Sequence, residues 1–195
     1  MAKRFSEEDI LEIKKKLKSA CEMSWRTKGY KQTNIPSLTK EVGISTGSFY
    51  LIYKTKEELF VEVLQHVQST MLTTWARYIE EADSALEGFK QGMNWLYHEY
   101  RSYPALYDFN SPEYDLFLAK LPKEKIRELE EASMSVFSKM IVHSKLRLKL
   151  SEEETINIIS TILFLSLIER DTLKATEKTF TFLMNHALDD LFEEV

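Results

Sequence analysis

One cysteine, Cys21, is all the thiol chemistry this sequence holds. It excludes an internal disulfide framework and fits a reducing compartment. Glycine and proline are nearly as scarce, five and four in 195 residues. Few chain breakers predict long helices and argue against a sheet-rich fold. No uninterrupted apolar run reaches the roughly 20 residues of a membrane span. The opening MAKRFSEEDI turns acidic where a signal peptide would place its apolar stretch, so a cytoplasmic location is expected. Catalytic patterns are also missing. His66, His98, His143 and His186 are scattered, no His-Glu-x-x-His pair or cysteine cluster occurs, and no glycine-rich phosphate loop follows a strand. Paired acids such as Glu130–Glu131 suit a surface helix. Neither an enzyme nor a cofactor or metal is expected.

What is present is an uneven charge. The whole chain carries −5, from 26 Lys and Arg against 31 Asp and Glu. Residues 1–60 hold twelve basic and eight acidic side chains, a net of +4, so the remainder is at −9. That asymmetry has two readings: a basic module on an acidic body, or a chance excess on a solvated surface. The run KKKLK (Lys14 to Lys18) is equally open. Phosphate contact is one reading; the other, which we favour, is a solvated face with Glu12 and Glu22 as partners.

Periodicity predicts an all-α protein of about nine helices. Ser6 caps a first helix, with Asp9 near the capping-box position, that stops near Gly29. Asn34 caps a second, Ile35 to Val42, with Pro36 harmless in its first turn and Gly43 at its end. Ser45 or Thr46 starts a third, running to Tyr53. Longer helices follow over about 56–80 and 84–102. Residues 105–121 read as an irregular helical pair broken at Asn110–Pro112. Three more cover about 122–145, 152–170 and 175–194, with LRLKLSEEE as a loop capped by Ser151. No strand pair is predicted.

Residues 42–59, VGISTGSFYLIYKTKEEL, concentrate the chemistry. A helix, a tight glycine turn and a short second helix make a helix-turn-helix, with Leu38, Val42 and Ile44 closing its small core. Gly43 suits a left-handed backbone. The small residues Ser45, Thr46, Gly47 and Ser48 leave the start of the second helix low enough to enter a major groove about 12 Å wide. Lys54 and Lys56 sit just beyond, placed to meet phosphates.

Ala20, Cys21, Trp25, Gly29, Tyr30, Thr33, Leu38, Val42, Gly43, Ile44, Ser45, Gly47, Tyr50, Tyr53, Lys56 and Leu59 stand at spacings that resemble the tetracycline-repressor (TetR) family of bacterial transcriptional regulators. The resemblance runs from about Leu17 to Leu64. It implies a helix-turn-helix DNA-binding domain, residues 1–55, and a helical ligand-binding and dimerisation domain, residues 56–195. It implies DNA contacts from Thr33, Ser45, Thr46, Gly47, Ser48, Phe49, Tyr50, Lys54 and Lys56, with Thr46 and Ser48 facing base edges. It further implies a double-stranded operator, a homodimer, a small-molecule effector and repression as the commoner mode, in a protein associated with the nucleoid and not with a membrane. There are departures. Leu51 and Ile52 replace a polar or aromatic pair, so either they pack inward or the helix makes fewer backbone contacts. Thr39 replaces a common alanine. Pro36 stands where some members place a base-reading side chain.

The body offers two further expectations. The uncharged segment TINIISTILFLSLI is apolar on two faces, and Phe180 to Phe192 repeats the theme. A four-helix dimer interface through Ile158, Ile162, Leu165, Phe180, Met184, Leu188 and Leu191 is expected; an intramolecular core is the alternative. Eight aromatics crowd residues 95–117. With helices on either side they suggest a cavity lined by Met71, Trp75, Trp95, Tyr100, Tyr103, Tyr107, Phe117, Phe137, Met140 and Phe164 for a lipophilic or aromatic effector. An aromatic core with exposed tyrosines explains them equally. Gly88 and Gly92, one turn apart, require close helix packing or space for a ligand. Two competing readings remain: a body that binds a protein partner, and an all-helical binding protein whose DNA module is vestigial.

Overall fold

Ser6 opens the first helix as its sequence demands. Its hydroxyl accepts the Asp9 N–H at 3.1 Å while the Asp9 carboxylate accepts the Ser6 N–H at 2.9 Å. The computed structural model describes residues 5–109, 111–167 and 177–193, apart from the side chains of residues 134, 166 and 167. Among them α1 spans Glu7–Gln32, but it is kinked at Gly29, where φ is +80°. The helix therefore bends at the residue expected to stop it, then continues for three residues. A side chain at 29 would also put its Cβ 2.6 Å from Glu113 Oε2.

The next two helices follow the expected punctuation. In α2, Ile35–Val42, the Asn34 side chain accepts the Ser37 N–H at 3.0 Å, and Gly43 closes the helix in the left-handed conformation, φ +79°. Ser45 caps α3, Thr46–Ile52. Then come α4, Lys56–Glu81, α5, Ala85–Ser102, α6, Pro104–Tyr107, α7, Pro112–Leu118, and α8, Lys123–Ser144. Two last helices, α9, Glu152–Leu167, and α10, Glu177–Leu191, bring the total to ten among the described residues. The count exceeds nine because the 105–121 pair forms as two separate helices. The far ends expected for the last two, 168–170 and 175–176, lie outside the described residues.

One element was not foreseen. Within the stretch expected to be loop, β1 (Arg147–Leu148) pairs antiparallel with β2 (Phe192–Glu193), Arg147 opposite Glu193 and Leu148 opposite Phe192. Lys149 adds an N–H to the Leu191 carbonyl at 2.9 Å. Two-residue strands carry too little pattern to be read from sequence.

The chain condenses into two compact units, Met1–Val67 with Tyr103–Ile126, and Gln68–Ser102 with Arg127–Val195. This division differs from a boundary after residue 55. In the first unit Trp25, Tyr30, Phe60 and Phe117 form one aromatic cluster. Trp25 and Tyr30 lie 4.5 and 5.0 Å from Phe60, and 5.6 and 5.5 Å from Phe117. Each such pair contributes about 0.5–1.5 kcal/mol beyond its area burial. The start of α4 and, through Phe117, α7 therefore contribute to this unit's core.

In the second unit α5 packs on α9 and α10. Tyr97 stacks on Phe180 with centroids 4.3 Å apart, and Thr181 donates to Asn94 Oδ1 at 2.7 Å. Gly88 and Gly92 are explained by close helix packing. A Cβ at 88 would lie 2.5 Å from the Tyr78 carbonyl oxygen, and one at 92 would lie 2.7 Å from the Trp75 ring.

A candidate nucleic-acid interface

The turn between α2 and α3 is fixed by its backbone. Ile44 N–H bonds the Thr39 carbonyl at 2.9 Å and Gly43 N–H the Lys40 carbonyl at 3.3 Å. Thr39, the larger replacement for alanine, is absorbed: its buried hydroxyl donates to the Ile35 carbonyl at 2.9 Å. Phe49 and Tyr53 anchor α3 from below, both buried and 5.6 Å apart. The outer side of α3 is left to Ser45, Thr46, Gly47, Tyr50 and Leu51, all exposed, with Ser48 half-buried. The Ser45 and Ser48 hydroxyls lie 2.9 Å apart, and Ser45 Oγ also accepts the Ser48 N–H.

Three of the expected DNA-contact residues are committed elsewhere. Thr33 is buried and donates its hydroxyl to the Gly29 carbonyl at 2.8 Å, tying down the kink. Phe49 is core. Lys56 is half-buried, its Nζ 2.6 Å from the Tyr30 carbonyl and 3.9 Å above the Tyr30 ring. Burial, opposed by neighbouring Glu57, holds its ammonium below the usual lysine range. Lys56 thus acts as an internal clamp between α4 and the end of α1. Lys54 is exposed, and only its backbone N–H is engaged, by Glu58 at 2.7 Å. Of the two lysines, it is the one free to meet a phosphate.

The open question at 51–52 has a split answer. Ile52 is half-buried, but Leu51 is 75% exposed and Tyr50 53%. The lysine run is largely paired. Lys14 lies 3.2 Å from Glu62, Lys18 3.9 Å from Glu62, and Lys16 2.7 Å from Glu12. Glu22 instead serves Arg26 at 2.9 Å. Glu62 also accepts the Tyr53 hydroxyl at 2.9 Å, a role no sequence spacing announced.

A second polar group fastens the segment after α7 to α1 and α4. The Tyr30 hydroxyl donates to Glu57 Oε1 at 2.5 Å, and Lys120 Nζ lies 3.6 Å from the same oxygen. Burial raises the Glu57 pKa, but the Tyr30 hydroxyl, a backbone N–H and Lys120 together outweigh it and hold the carboxyl below its usual range. Cys21 is fully buried, and burial pushes its thiol far up, so it is inert packing.

The second unit holds only part of the expected cavity lining. Met71, Trp75, Tyr100 and Met140 are buried there, Trp95 and Phe137 are half-buried, and Phe164 is exposed. Tyr103, Tyr107 and Phe117 are not with them. They belong to the first unit, where Arg26 lies over the Tyr103 ring at 4.5 Å. Buried Trp75 Nε1, Thr155 Oγ1 and Asn185 Oδ1 have no hydrogen-bond partner.

The expected interface residues also divide. Phe180, Met184, Leu188 and Leu191 are buried in their own unit and unavailable to a partner. They form the inward face of α10, where Phe180 meets Tyr97. Ile158 and Ile162 are half-buried, and Leu165 is 60% exposed. Phe182, 61% exposed, and Leu183 also face outward and were not assigned.

No described helix is long and apolar enough to cross a membrane. Among the described residues no group of three or more His, Cys, Asp or Glu side chains is placed to hold a metal. The caps and glycine turn of α2 and α3, the buried Phe49 and Tyr53 and the low polar outer side of α3 define a helix-turn-helix module. Residues 18–63 match the family model of bacterial regulatory proteins, tetR family. No curated protein matches the sequence. Solved structures resemble it in fold at low identity. A TetR family transcription regulator from Marinobacter aquaeolei VT8 is 15% identical, covers 97% of this chain and 100% of its own, and has a TM-score of 0.59. The transcriptional regulator FadR from Bacillus subtilis, in complex with stearoyl-CoA, is 15% identical over 90% of this chain and 95% of its own, at 0.58. The superantigen PfiT is 16% identical over 93% of this chain and 96% of its own, at 0.63.

Proposed function

We propose that the chain is a cytoplasmic, homodimeric regulator that represses transcription from an operator and is released by a small lipophilic or aromatic effector. The observation that carries the DNA half of this reading is the outer side of α3: Ser45, Thr46, Gly47, Tyr50 and Lys54 are exposed, while Phe49 and Tyr53 fix the helix from beneath. Thr46 and Ser48 read base edges, Tyr50 meets backbone or a thymine methyl, and Lys54 neutralises a phosphate.

A single module this small makes few contacts. A two-fold dimer places two recognition helices about 34–36 Å apart, or a multiple of it, on one duplex. Leu165, Phe182 and Leu183, large apolar side chains left exposed on α9 and α10, support a partner subunit at that surface. The effector half rests on the second unit's apolar interior with its unpaired Trp75, Thr155 and Asn185 atoms, and on the acyl-CoA held by the FadR relative in fold. An effector acts only through its differential affinity for two arrangements of the subunit.

A second reading keeps the helix-turn-helix and gives the body a protein partner. The exposed apolar residues of α10 and the likeness to a superantigen favour it. A thermal-shift screen with lipophilic compounds separates the two. Saturable stabilisation that also lowers operator affinity supports the effector; stabilisation that leaves operator affinity unchanged contradicts release by ligand.

A further inference from the structure

The sequence left open whether the residues after Tyr50 pack inward or the helix simply makes fewer backbone contacts, and for Leu51 the structure excludes inward packing. Among the described residues it is the most exposed large apolar side chain of the first unit, on the helix that leads into the groove. Gly47 stands one turn before it on the same face. Helical side chains lean toward the N-terminus, so Leu51 leans toward the turn that Gly47 leaves bare without filling it. That space is open: a Cβ at 47 would meet nothing nearer than Ser45 Oγ at 3.7 Å. Tyr50 stands beside it, propped edge-on against Phe49 at 5.4 Å.

Leucine has no group to offer a phosphate or a base-edge donor. The one apolar feature in a major groove is the thymine 5-methyl group. We infer that Leu51 reads a thymine methyl in each half-site and so helps determine operator sequence. The inference rests on the DNA-binding reading above.

The test uses the intact chain. Its preferred duplex is selected from random DNA, and each thymine is then replaced singly by deoxyuridine, which lacks only the methyl. Burying one methyl group is worth about a three- to ten-fold change in affinity. At one thymine per half-site, the replacement should weaken the wild type by that factor and leave Leu51→Ala nearly unchanged. Leu51→Ala removes an exposed side chain, so the fold should persist, as a matching thermal melt would show. Lys54→Ala is the control, weakening thymine and uracil duplexes alike. Equal losses for wild type and Leu51→Ala at every thymine would overturn the inference while leaving DNA binding intact. Failure of the wild type to select any sequence would instead overturn the DNA-binding reading, and this inference with it.

Discussion

Lys56 and Lys54 are two residues apart and differ in setting, Lys56 half-buried and Lys54 exposed. The ammonium of Lys56 is held by the Tyr30 carbonyl and ring, so Lys56→Ala should cost about 1–3 kcal/mol of stability. Lys54→Ala should leave the melting temperature unchanged and reduce the salt slope of DNA binding by about one. Chemical denaturation and a two-salt titration on both variants check the pair. Glu57 supplies a pH dependence. Its folded pKa lies below the usual glutamate range, so its contribution is complete above that range. The contribution is lost as pH falls through the depressed folded value. Thermal melts between about pH 5 and 2 should therefore show a shallower acid limb for Glu57→Gln than for the wild type.

Among the elements, α5 is held against α4 by what Gly88 and Gly92 lack. Alanine would improve intrinsic helix propensity at either site by roughly 1 kcal/mol. Overpacking typically costs about 1–3 kcal/mol, and at Gly88 the obstacle is backbone, the Tyr78 carbonyl and Ile79 Cα. Both Gly→Ala variants should lose stability in denaturant unfolding, Gly88→Ala more than Gly92→Ala, whose obstacle is a side chain. The bounds of α2 and α3 were legible because Asn34, Gly43 and Ser45 are local signals whose physics needs no neighbours. The inward face of α10 was not, because Phe180, Phe182, Leu183 and Met184 put apolar residues on both sides. Only packing against Tyr97 decides which side is buried. The packing of Tyr103, Tyr107 and Phe117 was hidden for a similar reason: aromatic density is local, but their partners on α1 and α4 are more than fifty residues distant in sequence. The intramolecular contact of Lys56 was not legible, because its partner, the Tyr30 carbonyl, lies twenty-six residues away.

At the scale of the molecule, assembly decides whether one weak module becomes an operator-specific pair. Phe182→Glu or Leu165→Glu, both on exposed apolar positions, should yield a folded monomer by sedimentation and weaken operator binding by a hundred-fold or so, on the order of 3 kcal/mol. Met184→Ala instead should destabilise the subunit by about 2–5 kcal/mol, because it opens a cavity in the core. The acidic balance of the whole chain does not oppose DNA binding, since the excess of acid lies beyond residue 60. The central claim, that α3 of this acidic protein reads a DNA sequence, is tested most directly by a mobility-shift titration at two salt concentrations. The duplexes are one selected from random DNA and a scrambled control. The account predicts specific binding at least about a thousand-fold tighter than to the control, with an affinity that falls steeply with salt. Equal affinity for both duplexes, or none for either, would contradict it.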